Sequence, residues 1–200
     1  RPLVAVLNNL EYDHADIFPD VAAIQRQFHH LVRIVPARGR LVVNGEDARL
    51  AEVLAMGCWT PVTSFGVGAD CGADWRAELL AADGTAFRLH HSGEPALDIR
   101  WSQCGHHNVE NALVAMAAAR HVGVAPAVAA AALADFGGVK RRLELLGRVR
   151  DVTVYDDFAH HPSAIATTLD GLAKQLVSSK QKSRILAVLE PRSNTMKLGV

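Results

Sequence analysis

The sequence predicts an α/β protein, and three patterns carry that reading. Short continuous apolar runs suit strands buried on both faces, apolar residues between them recur at helical spacing, and a middle stretch breaks into short runs around a turn dipeptide. Leu3-Val4-Ala5-Val6-Leu7 is the first buried strand. Val21, Ile24, Phe28 and Leu31 then share one face of a helix over residues 21–32, and Leu41-Val42-Val43 is the next strand, which completes a βαβ unit. Residues 61–101 hold the short runs Val62-Thr63-Ser64-Phe65, Glu78-Leu79-Leu80 and Ala86-Phe87-Arg88-Leu89. Asp83-Gly84 between two of them is a hairpin signal, so this stretch reads as antiparallel.

Residues 108–121 form a helix with Val109, Leu113, Met116 and Ala117 on one side and Gly123 as its stop. Pro126 opens a second, alanine-rich helix to Phe136, which Gly137-Gly138 ends. The basic triplet Lys140-Arg141-Arg142 leads to Gly147, where a unit boundary is expected, dividing the chain into 1–147 and 148–200. Val152-Thr153-Val154-Tyr155 starts the second unit as a strand. Pro162 opens a helix with Ile165, Leu169, Leu172 and Leu176 inward, and residues 185–189 read as a further buried strand. That is one right-handed βαβ unit, the beginning of a Rossmann-like sheet.

Composition excludes several classes. Lys plus Arg and Asp plus Glu both number 21, which disfavours a nucleic-acid or anionic-membrane binder. No apolar run reaches the length of a membrane span. Three cysteines at 58, 71 and 104 make no disulfide framework and fit a reduced, cytoplasmic setting. Arg1 stands inside a strand-like start and residues 197–200 follow a motif-like segment, so both ends are expected to be cuts through a longer protein. Eight of the ten histidines fall in doublets. His29-His30 and His90-His91 read as ordinary surface or partly buried imidazoles, whereas His106-His107 and His160-His161 sit inside denser polar groups.

Four segments carry candidate chemistry. Glu11-Tyr12-Asp13-His14 follows the first strand, at the carboxyl edge where open α/β sheets bind ligands. Its carboxylates and imidazole suit a divalent ion or a phosphate-bound metal, or else loop capping. Asp156-Asp157-Phe158-Ala159-His160-His161-Pro162 occupies the same position after the strand at 152–155. Its aspartates can accept from ribose hydroxyls, or simply initiate the turn before the helix. Asn108 and Asn111, three apart on one helical face, offer the donor–acceptor pairs that read an adenine edge, although Asn108 also suits N-capping. In Lys140-Arg141-Arg142-Leu143-Glu144 an arginine can brace a transferring phosphoryl group, or the run is a solvated basic turn.

Taken in order, Asn-Leu-Glu-Tyr-Asp-His at a strand end, His-Asn-x-x-Asn opening a helix, Arg-Arg-Leu-Glu before Gly147 and Asp-Asp-Phe-Ala-His-His-Pro resemble the Mur ligase family. The resemblance spans residues 8–199. It implies part of the family's central ATPase domain, a mostly parallel sheet with a small antiparallel part, followed by the start of the carboxyl-terminal ligase domain. The implied activity is ATP-dependent amide-bond formation through an acyl phosphate, with Mg2+, in bacterial cell-wall synthesis. Residues 11–18 and 190–197 look most like members that return L-alanyl-γ-D-glutamyl-meso-diaminopimelate to UDP-N-acetylmuramate in peptidoglycan recycling. Members that add the first L-alanine share the Asp-Asp-aromatic-x-His-His-Pro motif and are the nearest alternative.

Carried over residue by residue, the resemblance implies that His14 lies near a magnesium ion and that Asn108 and Asn111 contact adenine. It implies Arg142 as the phosphate-side arginine and Asp157 as the ribose contact. His160, His161, Arg192, Ser193 and Asn194 would face the substrates, with Arg192 suited to a carboxylate through its bidentate fork. One departure stands out. The family's Gly-Lys-Thr/Ser phosphate loop does not occur in these residues, and Gly138-Val139-Lys140-Arg141 lacks both its glycine spacing and its hydroxyl. The 200 residues alone are therefore expected to lack ligase activity. A non-catalytic nucleotide-binding module is the competing class. A zinc hydrolase is disfavoured because no histidine pair among the doublets has i, i+4 spacing.

Overall fold

The structure, a computed structural model, describes residues 1–68, 70–178 and 183–190. Its strands and helices run in the order β1 (Val4–Leu7), α1 (Val21–Ile34), β2 (Arg40–Asn44), α2 (Ala48–Ala55), β3 (Val62–Val67), β4 (Trp75–Leu79), β5 (Ala86–His91), β6 (Leu97–Arg100), α3 (His106–His121), α4 (Pro126–Ala134), β7 (Glu144–Val149), β8 (Val152–Asp156) and α5 (Pro162–Ser178). The first six strands form one sheet in sequential order, and β7 and β8 form a two-stranded sheet. The α/β class and the mostly parallel sheet agree with the sequence reading.

Pairing is parallel from β1 through β4 and antiparallel from β4 to β6. The expectation of an antiparallel stretch over 61–101 is therefore corrected for β3, which is parallel to both neighbours. The reason is a short return. Phe65 pairs with Trp75, so the intervening loop retraces only the last part of β3 before β4 begins beside it. The Asp83-Gly84 turn does join β4 to β5: Gly84 has φ +80, and the Asp83 carboxylate accepts from the amide and hydroxyl of Thr85.

Alternation along β2 shares the sheet between two cores. Val42 faces a core with Phe65, Trp75, Phe87 and Ile99, closed by Val109, Leu113 and Met116 of α3. Leu41 and Val43 face the other, with Leu7 of β1, Ile24 and Val32 of α1, and Leu50 and Val53 of α2. Helices on both faces make the strands continuous apolar runs. The α2 helix was absent from the sequence reading. It is set by Asp47, whose carboxylate caps the amides of Arg49 and Leu50.

α3 starts at His106, two residues before the expected start, with Gly105 as N-cap at φ +98. Asn108 is thus inside the first turn and not the cap; its Nδ2 donates to the Cys104 carbonyl at 2.7 Å. β7 runs across the expected 147/148 division and pairs with β8. Residues 183–190 form no strand, contrary to the expectation for 185–189. A strand exists only through ladder bonds, and Leu186 and Val188 are 77% and 100% exposed, with no strand paired to this segment among the described residues. No helix among the described residues is long and apolar enough to cross a membrane.

Candidate functional site

The parallel strands β1, β2 and β3 end at a common carboxyl edge, and the polar residues that follow them meet the first turns of α3. Asn8, just after β1, donates through Nδ2 to Asn111 Oδ1 at 3.0 Å. Its own Oδ1 is buried with no partner among the described residues. Asn44 at the end of β2 donates to Glu110 Oε1 at 3.4 Å, and the Glu46 amide donates to Asn44 Oδ1 at 2.9 Å. Glu110 also faces His106, at 3.9 Å one helical turn back.

Burial sets the electrostatics of this end of α3. It pushes the Glu110 carboxyl up, with His106 and Asn44 opposing and Glu46 adding to the rise. It also holds the His107 imidazole below its ordinary value; Asp157 opposes that, while Arg142 and His106 reinforce it. His107 Nδ1 is buried without a partner among the described residues. The Cys104 thiol just before the helix is pushed up to about 11, first by burial and then by the Asp83 charge. It is a structural thiol and not a nucleophile.

A cleft of about 730 Å³ opens between this helix end and the carboxyl-terminal unit. Asn108, Gly137-Gly138, Lys140, Arg142, Arg148 and Tyr155 are among its lining residues. Of the residues picked from sequence, it brings together Asn108 and Arg142. Asn111 is exposed and bonded to Asn8. The amides of 108 and 111 thus have different partners, although they lie on one helical side.

Asp157 opens the loop after β8. Its Oδ2 accepts from the Leu143 amide and its Oδ1 from the Ala159 amide, both at 2.7 Å. Asp157 therefore holds the loop after β8 and the segment bearing Arg142 in one arrangement. That segment is bent tightly: Arg141 and Leu143 have φ +59 and +49, a region non-glycine residues rarely occupy. Arg141 also bonds Asp156 at 3.2 Å and lies over the Phe158 ring.

His160 and His161 have separate environments. His160 Nδ1 lies 3.0 Å from the Phe158 carbonyl. His161 reaches back to the first loop, with Nδ1 3.3 Å from Glu11 Oε2 and Nε2 3.4 Å from the Tyr12 carbonyl. Ser163 donates to the same Glu11 oxygen at 2.5 Å. His14 is exposed at a tight turn with φ +55, and its carbonyl accepts the amides of Ile17 and Phe18. Arg192, Ser193 and Asn194 lie outside the described residues.

Sequence reasoning missed Asn44, Glu46, Glu110 and Ser163. For Asn44 and Glu46 the signal was present, since polar residues directly after the strand at 41–43 must fall on the carboxyl edge. Glu110 and Ser163 gave none, because both look like solvent-facing helix residues. Among the described residues, no three His, Cys, Asp or Glu side chains stand close enough to hold a metal ion.

The geometry can be set beside known proteins. The Mur ligase middle domain profile matches residues 1–119, and that of the Mur ligase, glutamate ligase domain matches residues 141–197. UDP-N-acetylmuramate--L-alanyl-gamma-D-glutamyl-meso-2,6-diaminoheptandioate ligase of Escherichia coli (strain K12) is 51% identical over 199 residues, covering 100% of this chain and 42% of the relative. The protein of the same name from Haemophilus influenzae is 47% identical over 200 residues, covering 100% of this chain and 43% of the relative. A crystal structure of a murein peptide ligase from Psychrobacter arcticus superposes with a TM-score of 0.71 at 48% identity, covering 100% of this chain and 40% of that one. The chain thus spans less than half the length of the relatives it matches.

Proposed function

This chain belongs to the Mur ligase family, and from that premise we propose that it works within a longer polypeptide as part of an ATP-dependent ligase. The reaction proposed joins L-alanyl-γ-D-glutamyl-meso-diaminopimelate to UDP-N-acetylmuramate in peptidoglycan recycling. The observation that carries the reading is that Asn108 at the start of α3 and Arg142 from the segment after α4 line one cleft. It is supported by identity to the two namesake ligases along the whole chain. The division proposed, 1–147 and 148–200, leaves the cleft lined from both parts, with Asn108 and Arg142 in the first and Tyr155 and Gln175 in the second. The free cysteines suit a reducing bacterial cytoplasm, which is the setting proposed.

The cleft fits a nucleotide. Its volume lies in the range of small-molecule sites, and Lys140, Arg142 and Arg148 line it with fixed positive charge. ATP supplies the phosphoryl group that activates a carboxylate toward an amine. Asn108 and Asn111 are assigned to the adenine side and Arg142 to the phosphates. Asp157 is assigned to the ribose, and its two backbone bonds also hold Arg142 in place. Arg142 acts as a preorganised cation where charge spreads in phosphoryl transfer. His160 and His161, with Arg192, Ser193 and Asn194, are assigned to the substrate side.

Mg2+ fits less fully. His14 is the proposed metal-side residue, yet the described residues form no complete ligand set. Magnesium commonly keeps waters and substrate phosphates as ligands, so His14 is assigned proximity alone and no step is routed through the ion.

The test is a ligation assay on the longer enzyme, with free L-alanine, the L-alanyl-γ-D-glutamyl dipeptide and the tripeptide competing as acceptors. The tripeptide is expected to be consumed preferentially, and Asn108→Ala to raise the KM for ATP about tenfold, the loss of a net hydrogen bond in a desolvated site. Preference for free L-alanine would overturn the substrate assignment. Turnover by the 200 residues alone would overturn their assignment as an incomplete site.

A further inference from the structure

Among the described residues, two contacts that position the carboxyl-terminal helix α5 differ in kind. The first is backbone against backbone: a Cβ on Gly171 would sit 2.8 Å from Gly105 Cα. This places α5 directly on the start of α3, with Leu172 buried beside it, but two glycine backbones in contact do not by themselves fix the tilt of the helix. The second lies at the amino-terminal end of α5, where its first turn grips the loop after β1. There Glu11 Oε2 receives the Ser163 hydroxyl at 2.5 Å and lies 3.3 Å from His161 Nδ1. The remaining ring nitrogen of His161 lies 3.4 Å from the carbonyl of Tyr12.

We propose that Glu11, His161 and Ser163 form a clasp that sets the angle between the two units and so holds the nucleotide cleft closed. Glu11 and Ser163 are positioning residues that act through this contact and touch neither nucleotide nor peptide. The inference rests on the ligase reading for its consequence in turnover, but not for the clasp itself.

Three features support a clasp over an incidental surface pair. Glu11 and His161 are only 35% and 24% exposed at their side chains, so the carboxylate is partly withdrawn from water and its partners matter more than at an open surface. One carboxylate oxygen collects two side chains from the same helical turn, while the loop backbone faces the other edge of the ring. The segment leading into β7 holds Arg141 and Leu143 at positive φ, a conformation that persists only where surrounding contacts enforce it. Asp157 enforces it from one side, through the Leu143 amide. The clasp, four residues after Asp157, ties the same loop to the first unit from the other. Two supports along α5 fix an angle that one does not.

The energies needed are small. A contact that biases an open–closed equilibrium about tenfold changes the closed population decisively without governing folding.

The test uses Glu11→Ala, Ser163→Ala, their combination, and Ser163→Thr, which keeps the hydroxyl. Small-angle scattering on the 200-residue chain is expected to show a larger radius of gyration for both alanine variants, with the double variant no larger than Glu11→Ala because the two share one oxygen. Ser163→Thr is expected to match the parent. In the longer enzyme, kcat should fall about tenfold in the alanine variants while the KM for ATP moves less than about twofold, a split that general destabilisation would not produce. Unchanged scattering in both single variants, with melting temperatures intact, overturns the clasp. Scattering that changes alongside an unmutated longer enzyme without ligase turnover upholds the clasp and overturns the functional reading.

Discussion

Glu110 and His107 stand within one turn of each other at the start of α3, and burial moves their titrations in opposite directions. The Glu110 carboxyl is raised above its ordinary 4.5, so the folded chain holds a proton that the unfolded chain has already released. Its contribution is intact below that ordinary value and lost as pH rises through the folded value. As pH rises the group becomes a net cost, and Glu110→Gln is expected to stabilise the chain at pH 7 more than at pH 4. His107 is lowered from 6.5, so its contribution is complete above that value and lost as pH falls through the folded one. His107→Gln should flatten the acid limb below pH 6.5. Urea midpoints of both variants from pH 4 to 8 check the pair of signs, and a Glu110→Gln variant less stable at pH 7 than the parent refutes the assignment.

At the scale of elements, the helix that sequence reading passed over is the most informative. Asp47 Oδ1 caps α2 through the amides of Arg49 and Leu50, while its Oδ2 takes the amide of Leu10 in the loop that leads to Glu11. One side chain thus sets a helix start and the approach of the first loop to the site. Asp47→Ala is expected to cost about 2–3 kcal/mol, a lost cap plus an amide left unsatisfied beside the 2%-exposed Leu10. Asp47→Asn, which keeps an acceptor, should recover more than half of it. Denaturant unfolding measures both, and a loss below about 0.5 kcal/mol for the alanine variant would show that Leu10 is held by packing alone.

Across the whole molecule, stability and geometry reside in different places. The main core under α3 is dense: Phe65, Phe87, Val109 and Leu113 are fully buried. Phe65→Ala is expected to cost about 3–5 kcal/mol through one cooperative transition. Gly171→Ala probes the join between units. Alanine favours the helix by roughly 1 kcal/mol, but its Cβ would meet Gly105 backbone at 2.8 Å. The expected outcome is an unchanged main unfolding transition with a larger radius of gyration in scattering. A smaller or equal radius would show that the α3–α5 contact does not set the spacing of the units.

The linear order of residues determined the α/β class, the parallel start of the sheet, the α3 and α5 helices and the family, because these depend on local periodicity and on short motifs carried intact. It also marked Asn108 and Arg142, which the fold places around one cleft. Tertiary structure alone decided the rest. Whether β3 runs parallel to β4 depends on how far a loop retraces, and residues 185–189 have no paired strand among the described residues. Nothing local distinguishes Glu110 from a solvated helix residue until Asn44 and Glu46 come up to it from the end of β2. His161 and Glu11 are 150 residues apart in a chain of 200, so their meeting is a property of the packed units and of no segment by itself.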